Sequence, residues 1–132
     1  KNTKLRGRWE QISERPRVIC DTGHNTHAIE SIVKQLKKVV CQNLWLVIGM
    51  VGDKDVDAIL SLLPQDAQYI FCQPNIPRAL SVSILSEKAA QHSLSGISVE
   101  HPKEALAKAQ ELANEDDLIF VGGSTFVVAE IL

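Results

Sequence analysis

Two kinds of apolar spacing alternate along the chain. Val18 to Cys20, Leu44 to Ile48 and Leu118 to Val121 are short continuous apolar runs, and Ala67 to Cys72 is a similar run broken only by Gln68. Runs of this length, rich in β-branched and aromatic residues, predict strands covered on both faces. Between them, apolar positions recur at three- and four-residue intervals. Ile29, Ile32, Val33, Leu36, Val39 and Val40 predict a helix running to about Val40, with Asn25 or Thr26 as its N-cap. Val56, Ile59, Leu60 and Leu63 predict a short helix stopped by Pro64, and Leu80 to His92 a longer one. Pro102 suits the first turn of a helix carrying Ala105, Leu106, Ala109, Leu112 and Ala113. Thr125 to Leu132 predicts a closing helix, and Trp9 to Ile12 and Ile97 to Val99 predict short strands.

Strands that alternate with helices in this way predict an α/β fold: Rossmann-like, with a mainly parallel sheet, helices on both faces and a single domain. In such a sheet the loops leaving the carboxyl ends of the strands share one edge, where ligands bind. Those loops are 21–26, 49–55, 73–79 and 122–125. They hold Asp21, His24, Asn25, Asp53, Lys54, Asp55, Arg78 and Ser124. The return segments, Gln42-Asn43 and Asn114 to Asp116, read as solvated turns.

Composition narrows the classes of partner. The chain has 132 residues, enough to bury roughly two-thirds of its unfolded surface. Fourteen Lys and Arg against sixteen Asp and Glu give a formal charge of −2, which argues against a nucleic-acid partner held by bulk charge. The dense basic cluster is Lys1, Lys4, Arg6 and Arg8. Cys20, Cys41 and Cys72 lack CxxC spacing and read as reduced thiols of a cytoplasmic protein. No apolar run approaches the roughly 20 residues of a membrane span, so no membrane partner is expected. The abrupt ends, Lys1 and Ile131-Leu132, suggest a piece of a longer protein.

The polar residues of the first loop carry the most chemistry. Asp21 can accept hydrogen bonds from a ribose diol or cap the helix that follows. His24 can bind an anion such as a carboxylate at the helix N-terminus, or serve as a turn histidine bonded to backbone. His24 and His27 lack a third ligand that would complete a zinc pattern, so no metal site is expected on them. Gly122-Gly123-Ser124 can present N–H groups and a hydroxyl to an anion, or form a tight turn with a Ser N-cap. There is no GxSxG elbow, no GxxxxGK[ST] loop and no GxGxxG fingerprint.

Gly7-Arg8-Trp9-Glu10 followed by Asp21-Thr22-Gly23-His24-Asn25 resembles the Mur ligase carboxy-terminal domain. The variant is that of folylpolyglutamate synthase and dihydrofolate synthase, in which a GR-aromatic-E segment precedes a DGAHN turn. Val47-Ile48-Gly49 leading to Asp53-Lys54-Asp55, then Pro77-Arg78-Ala79, then Gly123-Ser124-Thr125-Phe126 with Ala129-Glu130, continue the match in order over nearly the whole chain. Thr22-Gly23 stands where the family usually has Gly-Ala, Thr26 where it often has proline, and Arg6 at a position that is often proline.

The resemblance implies one domain of an ATP-dependent ligase that joins a folate or pteroate carboxylate to glutamate through an acyl phosphate. It implies that the phosphate loop and the Mg2+ ligands lie in a preceding amino-terminal ATPase domain, and that this domain alone is inactive. Carried over by motif, Arg8 and Asp21 contact the ATP, mainly its ribose, and His24 and Ser124 hold glutamate. Two other readings stay open: a free-standing nucleotide- or anion-binding module, and a domain of a peptidoglycan-precursor Mur ligase, whose equivalent turn usually lacks the histidine.

Overall fold

The computed structural model of the chain describes residues 7–52 and 55–132. Six strands, β1 (Glu10–Glu14), β2 (Arg17–Cys20), β3 (Leu44–Ile48), β4 (Gln68–Phe71), β5 (Gly96–Ser98) and β6 (Leu118–Gly122), form one sheet in the order β1-β2-β6-β3-β4-β5. β1 is antiparallel to β2, and all other neighbours are parallel. Five helices connect or follow the strands: α1 (Thr26–Lys38), α2 (Val56–Leu62), α3 (Val82–Gln91), α4 (Pro102–Leu112) and α5 (Thr125–Ile131).

The register explains why the central strands read as continuous apolar runs. Ile19, Phe120, Leu46 and Tyr69 stand side by side across β2, β6, β3 and β4; Cys20, Val121, Val47 and Ile70 form the next row. Adjacent rows point to opposite faces. The first row lies in a core with Ile29, Ile32 and Leu36 of α1, Ile59 of α2 and Leu85 of α3. The second row packs on Ala105 and Ala109 of α4 and Val127 and Val128 of α5. Both faces are therefore covered, as the pattern predicts. Among the described residues no helix is long and apolar enough to cross a membrane.

Local hydrogen bonds shift several boundaries. α1 stops at Lys38 rather than Val40, because Val39 turns extended while its N–H still reaches the Leu36 carbonyl; Val40 is left 97% exposed. α3 begins at Val82 rather than Leu80. Leu80 N–H donates to the Met50 carbonyl and Ala79 bridges Val51, which holds that stretch extended. Trp9 is not in the edge strand but in the turn before it, at φ 47°.

The return turns carry one feature that the sequence pattern does not show. Gln42-Asn43 and Asn114 to Asp116 are tied together by Asp117, which is only 3% exposed. Its Oδ1 accepts from Asn43 N (3.0 Å) and Nδ2 (3.2 Å), and its Oδ2 from Trp45 Nε1 (2.9 Å) and Asn114 N (2.9 Å). The turn residues themselves are exposed, as expected, but the buried carboxylate beside them joins the starts of β3 and β6 to the end of α4.

The three cysteines are free, and burial pushes the thiols of Cys20 and Cys72 up to about 12, with Glu10 and Asp21 adding to the first and Glu130 to the second. Cys41 is half-buried and raised less, again first by burial. A thiol reagent at pH 8 is expected to label Cys41 alone in the native protein and all three after denaturation. Quantitative native labelling of Cys20 or Cys72 would contradict this packing.

Candidate functional site

β2 and β3 flank β6 and run parallel to it, so the loop after β2 and the loop after β6 lie side by side at the carboxyl edge. Asp21 continues the β2 ladder by donating its N–H to the Val121 carbonyl (3.1 Å) and is 7% exposed. Its Oδ1 accepts from Gly23 N (2.8 Å) and its Oδ2 from Trp9 N (3.0 Å). Asp21 therefore does not cap α1. That role belongs to Asn25, whose Oδ1 accepts from Ala28 N (2.8 Å). An ionised carboxylate has about four lone-pair sites, so two remain for a ligand.

Arg8 is exposed at the crest of the turn that Asp21 grips. Thr22 N–H donates to the Gly7 carbonyl (2.6 Å) and Gly7 N–H to Glu10 Oε1 (2.7 Å). Gly7 sits at φ 82°, and a β-carbon on it would lie 2.8 Å from the Thr22 methyl, so only glycine fits. The Trp9 ring anchors the turn, 6.2 Å from the ring of Phe120 in the core.

His24 is half-buried, with Nδ1 3.1 Å from the Thr22 carbonyl. A carbonyl only accepts, so Nδ1 carries the hydrogen in this bond and the neutral ring keeps its lone pair on Nε2. The departure at Thr22-Gly23 is accommodated, since a β-carbon on Gly23 would come within 2.9 Å of Ala28 Cβ and 3.0 Å of Ile32 Cδ1.

From the other strand, Gly122-Gly123 turns the chain into α5. Gly123 has φ 91°, and a β-carbon there would meet the Gly49 carbonyl at 2.7 Å. Gly123→Ala should lose at least about 1–2 kcal/mol from the backbone alone, read as a lower urea midpoint; an unchanged midpoint would refute the turn. Ser124 is 1% exposed and caps α5, its Oγ accepting from Phe126 N (3.0 Å). Thr125 rather than Ser124 faces outward, its Oγ1 donating at 3.5 Å to the Thr22 carbonyl.

These pieces enclose a cleft of about 450 Å³. Arg8, Asp21 and His24 line it together with Thr125; Ser124 does not. The opposite wall is a stripe of α1, His27, Ser31 and Gln35. The sequence pattern points to His27 only as a candidate metal ligand and does not single out Ser31 and Gln35, although their spacing of four along a helix is a visible signal. Arg78 lies in the neighbouring loop outside the cleft, and Asp53 and Lys54 fall outside the described residues. A second cleft, of about 350 Å³, lies at the amino edge beside Arg15, Arg17 and Asp117. Its Arg15, Arg17 and Asp117 are already engaged with Glu115, Gln11 and the Asn43–Trp45 cluster, whereas the carboxyl-edge cleft gathers Arg8, Asp21 and His24 and is the candidate site. Among the described residues no three His, Cys, Asp or Glu side chains converge on a point that would hold a metal ion.

Residues 7–125 match the model of the family described as Mur ligase, glutamate ligase domain. The chain belongs to that family. It is 33% identical over 130 residues to dihydrofolate synthase/folylpolyglutamate synthase of Escherichia coli, covering 97% of this chain and 30% of that protein. E. coli FolC solved with DHPP and ADP superimposes with a TM-score of 0.87 at 31% identity, over 96% of this chain and 30% of FolC. A bifunctional folylpolyglutamate synthase/dihydrofolate synthase solved with Mn, AMPPNP and L-glutamate gives a TM-score of 0.85 at 30% identity, over 96% of this chain and 30% of that one. The chain thus spans about three-tenths of the length of these relatives and has the fold of their carboxy-terminal domain.

Proposed function

We propose that this chain is the nucleotide- and glutamate-contacting carboxy-terminal domain of a longer, cytoplasmic, ATP-dependent folylpolyglutamate/dihydrofolate synthase. The observation that supports this most is the convergence of Arg8, Asp21 and His24 on one cleft, in a domain whose relatives are solved with ADP, DHPP and L-glutamate. In the proposed reaction the terminal phosphate of ATP activates a folate or pteroate carboxylate, and the glutamate amine displaces phosphate to leave an amide. Mg2+, which neutralises phosphate charge in such transfers, is assigned mainly to side chains of the preceding ATPase domain.

The residues of this chain bind and orient. The Arg8 guanidinium, exposed on a rigid turn, supplies a fixed positive fork to the nucleotide. Asp21 offers its spare lone pairs to a ribose hydroxyl. His24 presents Nε2 to glutamate: as an acceptor when neutral it takes an amine N–H, and when protonated it donates to a carboxylate. Ser124 acts on the site indirectly, by capping the helix whose exposed Thr125 lines the cleft. Holding amine and activated carboxylate at near-attack distance removes much of the entropic barrier to acyl transfer. Closure of the two domains on the substrates would exclude water from the acyl phosphate.

The decisive assay uses the full-length protein with ATP, glutamate and either dihydropteroate or a reduced folate. ADP release is expected only with glutamate and a folate-type acceptor together, matched by amide product, and none from the 132-residue domain alone. ADP release indifferent to both acceptors would reject the assignment.

A further inference from the structure

We infer that Asp21 is a positioning residue that locks the two halves of the cleft, Arg8 on one side and His24 on the other, into a single unit. The inference rests on the assignment of Arg8 to the nucleotide and His24 to glutamate. Each Asp21 oxygen accepts a backbone N–H: Oδ2 holds Trp9 N (3.0 Å), the residue after Arg8, and Oδ1 holds Gly23 N (2.8 Å), the residue before His24. The adjoining Thr22 peptide repeats the link. Its N–H grips the Gly7 carbonyl (2.6 Å), and its carbonyl receives His24 Nδ1 (3.1 Å) and Thr125 Oγ1 (3.5 Å).

Arg8 therefore sits between two residues, Gly7 and Trp9, each in the left-handed region and each pinned to the Asp21-Thr22 dipeptide. A tryptophan at φ 47° is an unfavourable conformation that persists only when the surroundings fix it. The carboxylate and the Phe120 ring are what fix it here. Releasing Oδ2 lets the Arg8 turn relax, and releasing Oδ1 frees the turn that aims His24. A direct ribose ligand would affect only the nucleotide; a joint affects both substrates.

The test is steady-state kinetics on the full-length enzyme. Asp21→Asn keeps the shape but puts an NH2 group where one backbone N–H must be accepted. The KM for ATP and the KM for glutamate are both expected to rise, by about 5-fold or more. In an Arg8→Ala background the same change should add less than about twofold to the ATP KM, and in a His24→Ala background less than about twofold to the glutamate KM. Simple loss of folded enzyme would lower kcat per mole and leave both KM values unmoved. A rise confined to ATP and equal in all backgrounds would make Asp21 a ribose ligand only and overturn the inference. If Arg8→Ala leaves the ATP KM unchanged, the functional reading itself fails, and the inference with it. Should Asp21→Asn not fold, Gly7→Ala, which breaks the same joint from the loop side, is read in its place with the same expected pattern.

Discussion

His24→Ala in the full-length protein is expected to raise the KM for glutamate by roughly 10- to 100-fold, with the ATP KM within about twofold of the wild type. The range follows from the loss of one hydrogen bond to a charged group, about 1.5–3 kcal/mol. The selectivity follows from geometry. Tethering of Nδ1 to the Thr22 carbonyl fixes the ring plane, so Nε2 is the only ring nitrogen left for a ligand. Arg8, proposed for the nucleotide, approaches from the turn before β1 and does not use His24 as support. Substrate titrations at saturating partner concentrations separate the two constants. A glutamate KM unchanged by the substitution would remove His24 from the site and with it the main reason for placing the amino acid in this cleft.

Asp117→Ala is the substitution with the largest expected effect on stability, a loss of roughly 3–4 kcal/mol. It removes the acceptor for four hydrogen bonds and leaves the indole N–H of Trp45 and two backbone N–H groups without partners. Chemical denaturation should show a lower midpoint with an unchanged slope, since the surface exposed on unfolding is the same. The linkage to pH has a definite sign. Burial alone would raise the carboxyl, but the bonds from Asn114, Trp45 and Asn43 outweigh it and hold the group below the usual carboxylate range. Its stabilisation is thus fully present above the unfolded value near 3.9 and is lost as pH falls through the lower folded value. The wild type should therefore lose more stability between about pH 4 and pH 2 than Asp117→Ala does. Parallel acid titration curves for the two proteins would contradict the network.

Asp117 also shows where reading the chain alone reaches its limit. The central strands were legible because burial on both faces forces unbroken apolar runs, and Leu44–Ile48 could be placed to the residue. The helices were legible because each buries one stripe. The Asp117 cluster draws on Asn43, Trp45 and Asn114, residues up to 74 positions away, and each looks like an ordinary turn residue among its neighbours. The start of α3 was obscured for a similar reason, since the Met50 carbonyl that holds Leu80 comes from a different loop.

The candidate site divides along the same line. Arg8, Asp21 and His24 could be picked out because their residue types cluster at one sheet edge, and the structure brings them together around one cleft. That Ser124 faces inward and Thr125 outward depends on the phase of a seven-residue helix, which the sequence pattern does not set. Nor does anything local to Thr22 reveal that its methyl packs against Gly7, 15 residues earlier.

That contact has a mechanical consequence. Gly7 faces Thr22, Val128 and Leu132, so the backbone that carries Arg8 is clasped between the turn after β2 and the end of α5, and the closing helix helps to hold the rim of the cleft.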